Sequence, residues 1–74
     1  GIYLEDIVKQ DENEIVIKCK EEPSNIVLLV NQMIMPYQYE DGACVYHIER
    51  DWIGDTSKAV LYRFSDLTLT HIEL

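Results

Sequence analysis

The sequence predicts a small all-β protein, an antiparallel β-sandwich built from six to seven short strands. Several segments alternate apolar and polar residues at every second position, as half-buried strands do. Turn-forming clusters recur about every 8–12 residues, a spacing typical of sandwiches and barrels. The longest apolar run, Ile26 to Val30, contains five consecutive apolar residues with β-branched members. Such a run predicts a central strand that is covered on both faces and belongs to the core.

The predicted strands, in chain order, span 2–9, 14–20, 26–30, 33–39, 43–49, 59–65 and 67–74. In the first of them, Ile7 and Val8 break the alternation, which predicts a bulge, with a helix as the competing interpretation. Pro36 cannot donate a ladder hydrogen bond, so the fourth strand is expected at a sheet edge or a bulge. In the last strand, Leu69 and Ile72 differ in parity, and this again predicts a bulge.

Polar clusters separate these strands. Asp41-Gly42 is the strongest turn signal, because glycine readily supplies the positive φ that hairpin turns require. The connection over 50–58 is polar except for Trp52 and Ile53. One alternative stays open here: Ser57 is a candidate N-cap, and a helix near 57–67 would make the fold α+β.

Length and composition predict one domain over residues 1–74. An apolar fraction of 47% excludes intrinsic disorder. The chain opens on Gly1 and ends on Leu74 without a polar tail, so we expect a domain excised from a longer protein. No apolar run approaches the ~20 residues that a membrane helix needs.

The formal net charge is −8, from 14 acidic and 6 basic residues. This charge favours solubility, and it opposes direct binding to nucleic acid or to an anionic membrane, because both are polyanions. The partner that suits it is another protein, in particular one with a basic surface.

Three segments resemble compact immunoglobulin-like or fibronectin-type domains of bacterial and phage surface and structural proteins. They are the strand ending in Val-Asn at 27–31, the Asp-Gly turn followed by a strand at 41–46, and the strand running into an Asp turn at 58–66. The resemblance implies a sandwich with a binding or spacer role and no catalytic residues. The tryptophan of the third strand is missing, and the cysteine spacing does not match the usual bridge between sheets.

Two segments are candidate partner-binding sites. Trp52 and Ile53 lie in a polar loop between Asp51 and Asp55, and tryptophan is enriched at interface hot spots. The equally weighted alternative is that Trp52 and Ile53 close the end of the sandwich.

The second candidate surface is the edge-like segment that carries Tyr37 and Tyr39 together with Met33 and Met35. Its alternative is a core-lining role, which the alternation favours because a sheet needs this spacing.

Other constellations are weaker. Cys19 and Cys44 predict either two buried free thiols or, outside the cytosol, a disulfide bridge. Three further sets carry the residue types of a site without its sequence spacing, so we expect no cofactor, no metal and no enzymatic activity. The sets are Cys19, Cys44, His47 and His71 for zinc; Asp11, Glu12, Glu14, Asp41, Asp51 and Asp55 for calcium; and Ser57, Ser65, His47 and Asp51 for a hydrolytic triad.

Two functions follow as hypotheses. The first is a non-catalytic interaction or spacer module of a larger structural, adhesive or receptor-type protein, which would place the chain outside the cell or on a virion. The alternative is a small acidic inhibitor, for example one encoded by a phage, that imitates nucleic-acid charge and occupies a basic site on a host enzyme in the cytoplasm.

Overall fold

The computed structural model describes residues 7–54 and 58–74, the first four of them by their backbone alone. It confirms the predicted all-β fold: two four-stranded antiparallel sheets pack as a sandwich. The strands are β1 (Ile7–Gln10), β2 (Glu14–Cys19), β3 (Ile26–Val30), β4 (Met33–Ile34), β5 (Gln38–Glu40), β6 (Ala43–Glu49), β7 (Lys58–Arg63) and β8 (Thr68–Glu73), with a one-turn helix α1 (Arg50–Ile53) between β6 and β7.

The two sheets have the strand orders β1-β2-β6-β5, called sheet 1 here, and β4-β3-β7-β8, called sheet 2. The predicted bulge in the first strand is confirmed, since the register of β1 against β2 shifts between Ile7 and Lys9. The part of that predicted strand before Ile7 lies outside the described residues. No helix in the described part of the chain is long and apolar enough to span a membrane.

The prediction of one strand over 33–39 is wrong, because the chain changes sheets within it. A tight turn with positive φ at Asn31 and Gln32 returns β4 along β3 in sheet 2. The Met35 N–H still donates to the Leu28 carbonyl at 2.8 Å, and the chain then crosses at Pro36 to form β5 in sheet 1. Proline suits this crossing because it has no N–H to leave unpaired.

The helix considered for 57–67 is absent from its described part, where β7 pairs with β8 instead. Six consecutive register partners join the two strands without a shift, so the bulge predicted in the last strand is also wrong. Leu69 faces outward and Ile72 faces inward. The two residues therefore lie on opposite faces of a regular strand, and their odd and even positions need no bulge.

Each sheet contributes its inner face to one core. The prediction that both faces of β3 are covered is wrong: Leu28 and Val30 are fully buried, whereas Val27 and Leu29 are only half-buried on the outer face. The buried core is formed by Ile15, Ile17, Cys19, Ile26, Leu28, Val30, Cys44, Tyr46, Ile48, Ile53, Ala59, Leu61 and Ile72.

A polar network closes one end of this core. Arg63 is buried with 7% of its side chain exposed, and its Nε lies 2.8 Å from Glu21 Oε1 in an ion pair that falls outside hydrogen-bond geometry. The other oxygen of Glu21 accepts a 2.8 Å hydrogen bond from Asn25 Nδ2. Asn25 Oδ1 in turn accepts from the Ser65 N–H at 2.8 Å. The network thereby ties the β2–β3 connection to the end of β7.

Candidate protein-binding surface

Helix α1 separates the two apolar residues of its segment. Ile53 is 5% exposed and belongs to the core, so its side chain is not available to a partner and instead closes this end of the sandwich. Trp52 is 42% exposed, and Asp51 beside it is exposed as well. The helix is anchored because the Arg50 N–H donates to the Asn13 carbonyl at 3.0 Å. Asp55 lies outside the described residues.

Tyr37 and Tyr39 lie on the surface, where they are 52% and 44% exposed. A core-lining role therefore does not describe these two side chains. The Tyr39 hydroxyl donates to Glu22 Oε1 at 3.0 Å, and this hydrogen bond raises the pKa of Tyr39. Met35 alone of this segment packs against the core.

The crossing at Pro36 leaves the side of the sandwich open between the sheets. A concavity of about 450 Å³ there is lined by Ile26, Val27, Ile34, Met35, Pro36, Tyr37 and Tyr46. A second concavity of about 250 Å³ on the other side of Pro36 reaches Trp52. Tyr37 and Trp52, predicted separately, are thus connected through the lining around Pro36.

The outer face of sheet 2 carries an exposed apolar surface. Residues directly opposite each other on antiparallel strands share a face, and the register places two apolar rows across this one. One row contains Ile34, Leu29 and Val60 and ends on β8 at the polar His71, while the other runs from β3 to β8 and contains Val27, Tyr62 and Leu69. We call the six apolar residues of these rows the apolar face.

Exposure on the apolar face is substantial: Ile34 is 70% exposed and Leu69 49%. Phe64 extends the face beyond Tyr62, with the two ring centroids 5.5 Å apart. Val27 and Ile34 also line the 450 Å³ concavity, so the apolar face continues into the surface around Pro36.

The outer face of sheet 1 has a different character. Its register rows place charged or polar side chains next to the few apolar ones: Lys18 beside Val45, and His47 beside Val16. His47 Nδ1 lies 3.5 Å from Glu14 Oε2. One sheet thus presents an ordinary solvated face and the other an apolar one.

Sequence reasoning missed the apolar face because β3 and β7 are apolar on both parities. The bulkier set on β7, which includes Val60 and Tyr62, lies outside, while Ala59 and Leu61 lie inside. Alternation shows which residues share a face, but it does not show which face is buried. One signal in the sequence could have indicated the apolar face: β3 and β7 together contain more apolar residues than their inner faces can bury.

Four carboxylates gather at the end of the sandwich that carries α1. A concavity of about 390 Å³ there is lined by Asp11, Asn13, Glu14, Glu49 and Asp51. Asp11 Oδ1 accepts the N–H groups of Asn13 and Glu14 at 2.8 Å each, so this carboxylate shapes the turn.

Of the residues considered for calcium, the structure brings together only Asp11, Glu14 and Asp51. Asp41 lies at the opposite end of β6, and Asp55 is outside the described residues. Within 7–54 and 58–74, no three His, Cys, Asp or Glu residues converge on a point that would hold a metal ion.

The zinc set is dispersed. Cys19 and Cys44 are register partners within sheet 1, both buried and not joined by a disulfide, and burial raises the pKa of Cys44. His47 and His71 face outward on opposite sheets. A ligand set that spans the whole thickness of the sandwich cannot close around one ion.

The candidate triad is dispersed as well. Ser65 is held by Asn25 at the end of the sandwich opposite Asp51, and Ser57 lies outside the described residues. The described members therefore form no nucleophile and base pair.

Comparison of the chain with protein-family models, with curated proteins and with solved structures finds no match.

Proposed function

We propose that this chain is a non-catalytic protein-interaction module of a larger structural or adhesive protein, and that it binds its partner through the apolar face of sheet 2. The observation that carries the proposal is the contrast between the two outer faces. A contiguous apolar patch with a polar surround is typical of interaction sites on soluble proteins, whereas the solvated faces of antiparallel sheets are ordinarily polar.

The dimensions of the apolar face suit the centre of an interface. Two rows separated by about 7 Å and spread over four strands about 4.8 Å apart cover on the order of 250 Å². A standard interface buries about 800 Å² on each partner, with an apolar centre and a polar rim. Phe64, whose ring lies next to that of Tyr62, and the polar residues around the face would supply part of the remainder.

An immunoglobulin-like architecture is part of the proposal, and the strand order supports it. If the strands are lettered in chain order with β4 as C′ and β5 as D, sheet 1 reads ABED and sheet 2 reads C′CFG. This is the strand arrangement of immunoglobulin-like sandwiches. Cys19 and Cys44 fall on B and E of the same sheet, so they do not correspond to the usual B–F bridge between sheets.

The test uses two valines that occupy equivalent positions on the two outer faces. Val60 on β7 and Val45 on β6 are both half-buried and point outward. A photoreactive residue at Leu69 first captures the partner in an extract of the source cells, with the same residue at His47 as the control position. Affinity for the captured protein is then measured for Val60→Lys and Val45→Lys.

We expect the photoreactive residue at position 69 to cross-link one defined partner protein and the same residue at position 47 to cross-link none. We also expect Val60→Lys to lower the affinity for that partner at least tenfold and Val45→Lys to change it little. Circular dichroism and the denaturation midpoint verify that both variants fold. Equal losses for the two variants, or capture from position 47 alone, would contradict the proposal.

A second candidate function is the acidic inhibitor, and the structure contributes one observation in its favour. Acidic residues that are scattered in the sequence meet at one end of the sandwich, where Asp11, Glu14, Glu49 and Asp51 line a single concavity. If this end occupies a basic enzyme site, Glu49→Gln combined with Asp51→Asn should weaken binding, and the affinity should fall steeply with added salt. Binding that salt leaves unchanged excludes this function.

A further inference from the structure

Three of the four edge strands carry features that discourage pairing with another chain. Natural sheets protect their edges with short strands, prolines and bulges. In sheet 2, β4 has two residues; in sheet 1, β5 has three residues and follows Pro36 closely, while β1 has a bulge between Ile7 and Lys9.

The fourth edge, β8, has none of these features. It has six residues, Thr68 to Glu73, without proline, glycine or lysine, and pairs with β7 in unbroken register. Alternate backbone N–H and C=O groups of such a strand point away from its only neighbour. No other strand of the described residues pairs with that side of β8.

The ends of β8 are acidic. Asp66 lies in the turn before the strand, where its Oδ1 accepts from Thr68 and its Oδ2 lies 3.9 Å from Arg63 Nη1, and Glu73, 77% exposed, ends the strand. The strand between them has a length of roughly 20 Å. Lys58 lies 3.9 Å from Glu73, but both are exposed and such a pair contributes little. Lys58 also lies on β7, one strand further from the edge, so an incoming strand would have Glu73 as its direct neighbour.

We propose that β8 accepts an extended segment of a partner protein as an added antiparallel strand, with apolar side chains in the middle and a lysine or arginine near each end. The apolar side chains would extend the apolar face beyond Leu69, and the basic ends would lie against Asp66 and Glu73. The net charge of −8 favours this partner over a second copy of the chain, which would bring eight more negative charges to the same edge. The inference rests on the proposed interaction function and names the chemistry of the partner.

The probe is a synthetic peptide, acetyl-Lys-Thr-Val-Thr-Val-Thr-Lys-amide, which places its lysines and valines on the outer face when it pairs antiparallel to β8. Two matched peptides serve as controls: one with glutamates in place of the lysines, and one N-methylated at the amides that would face β8. Binding is followed by fluorescence polarisation and located by backbone amide shifts in an NMR spectrum.

We expect the lysine peptide to shift the amides of Thr68 to Glu73 most strongly, and N-methylation to weaken binding at least tenfold. Glu73→Lys should weaken the lysine peptide about two- to fivefold and strengthen the glutamate peptide by a similar factor. This exposed substitution keeps the fold, so loss of folding does not confuse the comparison.

Three results would overturn the inference. The first is equal binding of the N-methylated peptide, and the second is a pattern of shifts away from β8. The third is an edge that is already occupied, either by a second copy of the chain or by residues that precede Ile7. A second copy would be detected as self-association that Glu73→Lys alters. The preceding residues would be detected if the peptide binds only to a chain that begins at Ile7. If the peptide does not bind while the photoreactive residue at position 69 still captures a partner, β8 is excluded as the binding edge and the proposed function stands.

Discussion

Replacement of Glu21 by glutamine tests whether the polar network at the end of the core stabilises the fold. Glutamine keeps an oxygen that can accept from Asn25, but it removes the negative charge that lies 2.8 Å from Arg63. Only 7% of the Arg63 side chain is exposed, so its charge has little access to water once the partner is neutral.

The magnitude follows from the burial of the pair. Removal of one partner from a fully buried ion pair costs about 3–5 kcal/mol. Glu21 keeps 23% exposure, and Asp66 remains 3.9 Å from Arg63 Nη1, so we expect a smaller loss of about 2 kcal/mol in the free energy of unfolding. For a domain of this size that corresponds to a fall in Tm of roughly 8–16 °C.

The assay is urea unfolding followed by far-ultraviolet circular dichroism, with Glu22→Gln as the matched control. Glu22 is exposed and its carboxylate accepts only from the Tyr39 hydroxyl among the hydrogen bonds described, so its neutral variant should stay within about 0.5 kcal/mol of the wild type. A double variant, Glu21→Gln with Arg63→Met, should recover most of the loss because no buried charge remains.

Equal stability of Glu21→Gln and Glu22→Gln would refute the argument that the Arg63 charge depends on Glu21. A double variant less stable than Glu21→Gln alone would refute the desolvation argument and would instead assign the effect to packing of the Arg63 stem.

Two further predictions concern the core and one turn. Leu28 is fully buried, so Leu28→Ala should lower the free energy of unfolding by about 3 kcal/mol, whereas Leu67→Ala, at a position 75% exposed, should change it by less than about 0.5 kcal/mol in the same urea experiment. Similar losses at the two positions would mean that the core is packed differently. The Thr68 hydroxyl, 2.7 Å from Asp66 Oδ1, lowers the pKa of Asp66, so Thr68→Val should raise it in an NMR titration. Because the pKa of Asp66 is lower in the folded state than its unfolded value near 3.8, the ionised carboxylate stabilises the fold above that pH, and this stabilisation is lost as the pH falls through the folded pKa. Any difference in stability between wild type and Thr68→Val should therefore shrink under acid. Superimposable titration curves of Asp66 in the two proteins would exclude the hydrogen bond.

Local patterns were sufficient to predict the inner strands. Alternation predicted that Ile15 and Ile17 share one face of β2 and that Tyr46 and Ile48 share one face of β6. The register joins both pairs on the inner face of sheet 1, where all four are buried. The Asp41-Gly42 turn follows from the same local chemistry, since Gly42 has a φ of +77° and Asp41 also adopts a positive φ. These features depend on neighbouring residues alone.

The crossing at Pro36 was not predictable in the same way. Met33 to Tyr39 alternates like one strand, yet its two halves pair with different sheets. Strand β4 has only two residues, and the chain leaves sheet 2 at Pro36 before β5 begins. Which sheet a short segment joins is decided by the strands already present on each side, and this information is distant in sequence.

The candidate site shows the same division. Trp52 and Tyr37 were predicted from residue type, but the concavities that join them around Pro36 exist only because two sheets meet there. Ile53 was predicted together with Trp52 and lies in the core, since consecutive residues of a helical turn point in different directions.

Alternation, turn chemistry and charge are local or additive properties, and they were sufficient to predict the all-β class, the inner strands, the main hairpin turn and the strongly acidic balance. The parity of β3 and β7 that faces solvent was not predictable in this way, although it makes Val27, Val60 and Tyr62 an outer surface. A strand with apolar residues on both sides can bury either face, and packing against the second sheet selects one.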